Sequence, residues 1–455
     1  MFVEPKRLLL RLTALLSKNN KSFIVQSSKI SIFDQIPKSS SIRLINLGCA
    51  RNLADAQLIL GRLKKKGHRI TSRSKADVVI LNTCAFIESA KKETIDFILD
   101  LIALKKKGTI KKIAVIGCFS ERYPKELKKE FKEIDFIDGI LPLEKDEKES
   151  KVFLTPKSFA YLKICESCYN LCHFCVIPKI KGKFKSRSMV SISDEAKVLD
   201  RKGFLEVDII GQDITAYGID LYKHKALVEL LEGLVAKTSC IKWFRLLYLY
   251  PAHITDELLS FMAAHSRICK YLDIPLQHIN DQVLKRMNRN FSKKKIISLI
   301  KKIRKKMPEC CIRTSFIVGY PGETQVQFDE LCLFVKTIRF DRLGVFKYSK
   351  EKGTKAACEQ NQVSELIKQA RYDILMKIQQ KISTVKLKKF IGKKIFVLID
   401  EKVKDEKGIY IGRSQFDAPE VDGVVYVESK KKIKPGDFIE VEIADSYEYD
   451  LVGQY

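Results

Sequence analysis

Hydrophobic and polar positions along the chain change period twice. From residue 41 onward, apolar runs at 42–47, 78–81 and 113–116 have the length of buried strands. Between them, 53–66 and 88–105 space apolar residues three and four apart, as amphipathic helices do. Strands alternating with helices predict a doubly wound α/β domain with a parallel sheet. A second series starts at residue 159, with strand-like runs following at 207–210, 244–250, 271–274, 312–318 and 343–348. Helical patterns at 194–202, 227–235, 256–264, 296–306 and 327–338 lie between them. Six strand–helix repeats predict a partial barrel, short of the closed eightfold form. Residues 364–387 read as a helical connector. After residue 392 the pattern shortens to β runs at 395–399, 408–412, 424–427 and 438–443, as in a small five-stranded barrel of the oligonucleotide-binding type.

These changes of period divide the chain into an N-terminal α/β domain at 41–152, a barrel core with its connector at 153–389 and a small β-barrel at 390–455. Residues 1–40 stand apart, with seven Lys/Arg, seven serines and only Glu4 and Asp34 as acids. They read as a poorly ordered basic extension rather than a transit peptide, which would favour Arg and avoid acids.

Composition narrows the class. Of 455 residues, 45% are hydrophobic and 31% charged, which excludes a disordered chain. No apolar run approaches the ~18–20 residues of a membrane span, so no membrane partner is expected. Thirteen cysteines over this length do not form a small disulfide framework and point to the reducing cytoplasm. A net charge of +29 points towards ribosome or RNA contact.

The cysteines carry the chemistry. Cys168, Cys172 and Cys175 lie in the string CYNLCHFC, just beyond a strand-like run. A structural zinc site wants four ligands. Three thiolates can hold three irons of a 4Fe–4S cube and leave the fourth iron open for chemistry. A second set is spread out: Cys49, Cys84 and Cys118 end three successive strand-like runs, LINLGC, VILNTC and AVIGC. Parallel strands bring their carboxyl ends to one sheet edge, so these three should converge as a second cluster site. Cys165 precedes the first set by three residues and is expected not to compete for iron. Cys240, Cys269, Cys310, Cys311, Cys332 and Cys358 read as ordinary buried or isolated thiols. No phosphate-binding loop, nucleophile elbow or zinc-protease helix is present, which argues against hydrolase chemistry.

The C-x3-C-x2-C spacing resembles radical S-adenosylmethionine (SAM) enzymes, and from residue 41 the whole chain resembles the radical SAM methylthiotransferases. The strings NLGCARNLADAQLILG, LNTCAFIESAKKETIDFIL, GQDITAYGIDL, RLLYLYPAHITDELL, CKYLDIPLQHIND, FIVGYPGET and APEVDGVVYV resemble the RimO group, the branch that modifies a ribosomal protein. The resemblance implies an N-terminal auxiliary-cluster domain, a radical SAM core and a C-terminal TRAM domain. It implies two 4Fe–4S clusters, a SAM-cleaving one on Cys168, Cys172 and Cys175 and an auxiliary one on Cys49, Cys84 and Cys118. Phe174 would pack near adenine, Gln212 would approach the methionine part of SAM, and Ile317, Val318 and Gly319 would contact the nucleoside. The implied reaction uses two SAM. One methylates a sulfur on the auxiliary cluster, and the other yields the radical that takes hydrogen from the β-carbon of an aspartate in small-subunit ribosomal protein twelve. The sister branch, which methylthiolates a tRNA adenosine, is the alternative. Residues 392–455 hold ten Lys/Arg against fourteen Asp/Glu, which suits a basic protein substrate better than RNA. Asp417, Glu420, Asp422, Glu440, Glu442, Asp445, Glu448 and Asp450 are the acids expected to meet it.

Overall fold

A computed structural model describes residues 35–141 and 151–455. The extension read at 1–40 falls outside these residues for 1–34. The first unit is a parallel sheet of β1 (Ser41–Asn46), β2 (Arg69–Ile70), β3 (Ala76–Thr83), β4 (Ile110–Gly117) and β5 (Phe136–Ile137), in the order β2-β1-β3-β4-β5. Residues of β3 and β4 alternate between two apolar layers, as strand geometry requires. Val78, Ile80, Ala114 and Ile116 pack with Ile59, Leu60 and Leu63 of the helix Ala50–Lys65. Val79, Leu81, Ile113 and Val115 pack with Ile95, Ile98 and Leu101 of the helix Glu88–Lys106. Helices on both faces make the sheet doubly wound, and its direction reverses between β1 and β3, where such sheets bind ligands. The edge strands β2 and β5 have two residues each, too short for a periodic signal.

The second unit is a six-stranded parallel sheet of β6 (Phe159–Lys163), β9 (Glu206–Ile210), β10 (Trp243–Leu246), β11 (Ile268–Asp273), β12 (Cys311–Val318) and β13 (Arg342–Lys347), in sequential order. A short antiparallel ribbon, β7 (Cys165–Glu166) with β8 (Lys185–Ser186), flanks the cysteine loop. This is the partial six-repeat barrel. Its helices start where local chemistry favours them: Ser188 caps the helix Met189–Arg201, and Thr324 with Gln327 forms a capping box on Gln325–Ile338. Strand β10 stops earlier than the apolar run 244–250 suggests, because Tyr248 adopts φ 65° and Pro251 opens a 3-10 turn.

One face of this sheet is apolar and lies under the helices. At alternate positions the inner face carries Lys163, Glu206, Asp208, Arg245, Asp273 and Arg313, all but Arg313 buried. The third unit covers the amino-terminal end of that face. It is a closed barrel of β14 (Lys394–Lys402), β15 (Ile409–Ser414), β16 (Val425–Glu428), β17 (Phe438–Ser446) and β18 (Leu451–Gln454). Phe438 packs edge-on against Trp243 at 4.9 Å. Arg413 reaches across to Glu206 at 2.6 Å while holding Asp400 of its own barrel.

This docking corrects the expectation for part of the acidic segment. Asp417 pairs with Arg342, and Asp422 accepts from Tyr271 Oη at 2.5 Å and faces Arg313 at 3.4 Å. Glu420 accepts from Tyr161 Oη at 2.9 Å, and Asp450 accepts the Val424 N–H at 2.8 Å. The turn acids hold the C-terminal barrel onto the core instead of meeting a partner. Glu440, Glu442, Asp445 and Glu448 remain exposed, with Glu442 opposite Lys394 on the neighbouring strand.

Candidate functional site

The two cysteine sets occupy facing ends of the two parallel sheets. Cys49 follows β1, Cys84 follows β3, and Cys118 begins the short helix after β4. Asn52 draws their strands together. Its Nδ2 donates to Leu47 O and to Thr83 O, both at 3.0 Å, and its Oδ1 lies 4.0 Å from Cys49 Sγ and 3.8 Å from Cys118 Sγ. Gly48, at φ +95°, brings the backbone so close to Cys84 that a Cβ there would lie 2.9 Å from the Cys84 Cβ. Sequence separation has become spatial convergence.

Gly117, immediately before Cys118, has φ +96°, and a Cβ on it would meet Asn82 Oδ1 at 2.5 Å and Thr83 backbone atoms below 3 Å. Left-handed backbone alone costs a non-glycine residue about 1–2 kcal/mol. Replacement G117A is expected to lower stability by at least that amount and to displace Cys118. The check is a denaturant titration, in which the midpoint should fall in this variant.

In the set of Cys168, Cys172 and Cys175, each sulfur receives a polar donor. Cys168 Sγ takes the Asn170 N–H at 3.4 Å and Asn170 Nδ2 at 3.5 Å. Cys172 Sγ takes Arg289 Nη1 at 3.6 Å, and Cys175 Sγ takes the Ile177 N–H at 3.5 Å. Donors aimed at sulfur favour thiolates and tune iron–sulfur clusters. As free thiols, Cys168 is pushed up to about 11 and Cys175 to about 12, in both cases by burial first. Burial likewise pushes Cys118 up to about 12 and raises Cys84. For Cys49 burial is outweighed by Arg51, Lys181 and local N–H groups, so its thiol lies below the usual range. Binding a thiophilic metal would release these protons. Among the described residues, no three His, Cys, Asp or Glu side chains converge on the position of one metal ion.

Phe174 packs with Ile317, Tyr320 and Tyr348 in one apolar cluster, whereas Val318 points to the other side of its strand, into the core under the helices, and does not share that wall. Gly319 takes φ +71° under Lys368. Gln212, just after β9, donates from Nε2 to Glu166 at 3.1 Å and leaves its buried Oε1 without a protein partner. Cys165 is fully buried, and its Sγ lies 3.7 Å from Asp213 O. Cys240 and Cys358 are exposed, and Cys269, Cys310, Cys311 and Cys332 are buried.

Three family models match the chain in turn. They are Uncharacterized protein family UPF0004 at residues 41–139, the Radical SAM superfamily at 162–335 and the TRAM domain at 391–455. Among similar curated proteins, "Ribosomal protein uS12 methylthiotransferase RimO" of Caldanaerobacter subterraneus is 47% identical, over 91% of this chain and 100% of its own length. The proteins of that name from Thermoanaerobacter and Aquifex aeolicus are 45% and 44% identical, each over 91% of this chain and covering 100% and 96% of their own lengths. The chain belongs to the RimO family. It is a radical SAM methylthiotransferase.

Several residues at the site had no role in the sequence reading. Lys163 and Lys181 each contact both Asp55 and Glu166, forming a closed buried lattice between the first two units. Its longer contacts are Lys163–Glu166 at 2.9 Å, Lys181–Glu166 at 3.3 Å and Lys181–Asp55 at 3.5 Å. A signal for it exists: Lys163 and Glu166 interrupt the strand-like string YLKICE, where apolar residues would otherwise be expected. Arg51 and Arg289, each beside a cysteine, are also new to the site.

Proposed function

We propose that this chain methylthiolates the β-carbon of an aspartate in small-subunit ribosomal protein uS12. Cys168, Cys172 and Cys175 would hold one 4Fe–4S cluster, Cys49, Cys84 and Cys118 would hold a second, and two SAM would serve each turnover. The observation that carries this reading is the pair of separate three-thiol sets at facing sheet ends. When bound, these groups supply one-electron reduction, hydrogen abstraction from an unactivated C–H bond and the transferred sulfur.

The chain's own residues orient the reaction. Asn170, Arg289 and the Ile177 N–H fix the loop thiols. Phe174 and Ile317 form the apolar wall against which the nucleoside of SAM would lie. Gln212 Oε1 is free to accept from the amino group of the methionine part. Asn52 holds Cys49 and Cys118 on adjoining strand ends. The buried lattice of Lys163, Lys181, Asp55 and Glu166 closes the junction of the two units beside the cysteine sets, and keeping water from that side would protect radical chemistry.

The substrate assignment draws on the relatives' name and on charge. A domain that grips tRNA needs a cationic surface, and residues 392–455 carry more acids than bases. The exposed Glu440, Glu442, Asp445 and Glu448 would attract a basic ribosomal protein. The C-terminal barrel lies at the opposite sheet end from the cysteines, so contacts there act on docking alone. Reversing these four acids to lysine is expected to lower kcat/KM for uS12, chiefly through KM, with a steeper loss at low salt. Unchanged kinetics would remove the barrel from substrate capture. Anaerobic reconstitution should load two clusters per chain, and a fully active enzyme saturating at one cluster would refute the two-cluster assignment.

A further inference from the structure

Arg51 stands between the two cysteine sets, beside the Cys49 thiol and with Glu166 further off. It lies two positions after Cys49, and its Nη1 donates to Gly211 O at 2.9 Å, just beyond β9. Its guanidinium sits 4.3 Å from the centre of the Tyr248 ring. Two residues past Gly211, Asp213 accepts from Asn170 Nδ2 at 2.7 Å, and the Asn170 N–H points to Cys168 Sγ. One short path of contacts therefore leads from Cys49 through Arg51 to Cys168.

The other cations at this junction are already committed. Lys163 and Lys181 share Asp55 and Glu166 between them. Among the described residues no carboxylate lies in ion-pair range of Arg51. A partly buried guanidinium that meets the Cys49 thiol, a carbonyl and an aromatic face still has N–H donors to spare for an anion. Its planar fork matches a carboxylate.

We propose that Arg51 binds the carboxylate of the substrate aspartate and so places its β-carbon between the two cysteine sets. This rests on the protein-aspartate reading given above. The β-methylene is bonded directly to that carboxylate, so gripping the carboxylate limits which hydrogen faces the SAM side. A neutral adenine ring would give Arg51 no such partner.

The test uses the full chain with both clusters reconstituted, uS12 as substrate, and uS12 whose target aspartate is changed to asparagine. Variants are R51M, which removes the charge, and R51K, which keeps it without the fork. Wild type should favour the aspartate substrate in kcat/KM. In R51M the KM for uS12 should rise roughly tenfold to a hundredfold, the scale of a lost charge-assisted hydrogen bond. The preference for aspartate over asparagine should collapse with it, R51K should fall between, and iron per chain should hold. R51M with unchanged KM and unchanged preference would overturn the inference alone. So would loss of iron, or an altered electron paramagnetic resonance signal from the Cys49 set, since Arg51 would then serve the cluster. Wild-type enzyme inert on uS12 would overturn the proposed function and this inference with it.

Discussion

Replacing Cys168, Cys172 and Cys175 together by alanine is expected to abolish SAM cleavage, whereas replacing Cys49, Cys84 and Cys118 should spare cleavage and stop methylthio transfer. The two sets belong to different sheets. The first lies in a loop on the barrel core, its sulfurs oriented by Asn170, Arg289 and the Ile177 N–H. The second lies at the strand ends of the N-terminal unit, around Asn52. Neither variant removes a group that orients the other set, so each effect should be separable. The measurement is 5′-deoxyadenosine formed under a strong reductant, read beside methylthiolated product. Cleavage that persists without the Cys168 set, or disappears without the Cys49 set, would reverse the assigned roles.

Both cysteine sets were legible in the sequence, for different physical reasons. Cys168, Cys172 and Cys175 are close in the chain, so spacing alone groups them. Cys49, Cys84 and Cys118 were grouped through a fold rule, since parallel strands carry their ends to one edge. That rule needed only the strand runs, of which β3 and β4 span theirs and β1 ends one residue short of its own. The buried ion pairs were not legible in the same way. Periodicity marks Lys163, Glu206 or Arg245 as polar positions on a strand, which in an isolated sheet means exposure to water. The structure buries that face beneath another unit, and tertiary contact decides the outcome. The acids at 417, 420 and 422 misled for the same reason: a formal charge count cannot distinguish a solvated acid from one held by an arginine or a tyrosine hydroxyl of the core.

The second large effect concerns Arg245 and Arg413, which meet at Glu206 between the core and the C-terminal barrel. Arg245 is fully buried, donates to Glu206 at 2.7 Å and to Gln415 O at 2.8 Å, and lies 3.5 Å from Asp208. Arg413 approaches the other Glu206 oxygen from the C-terminal barrel at 2.6 Å. Burial, then the neighbouring Glu206, pushes Asp208 well above the usual carboxylate range. Burial would raise Glu206 as well, but Arg245 and Arg413 outweigh it and keep Glu206 ionised. Removing one partner of a buried pair leaves the other charge without compensation, at a cost of about 3–5 kcal/mol. R245M is therefore expected to destabilise the chain on that scale and to loosen the C-terminal barrel, because the Gln415 contact goes with the side chain. Denaturant titration with limited proteolysis would show a lower midpoint and earlier cleavage near residues 388–393. An unchanged midpoint would mean that the arginine lattice does not hold the units together.

The most direct measurement is mass spectrometry of uS12 and of tRNA nucleosides, both from cells that lack this chain and from the same cells with it restored. A methylthio group on the β-carbon of one uS12 aspartate, present only when the chain is present, is the expected result, with tRNA unchanged. Restoration of 2-methylthioadenosine in tRNA, with the uS12 aspartate unmodified, would contradict it.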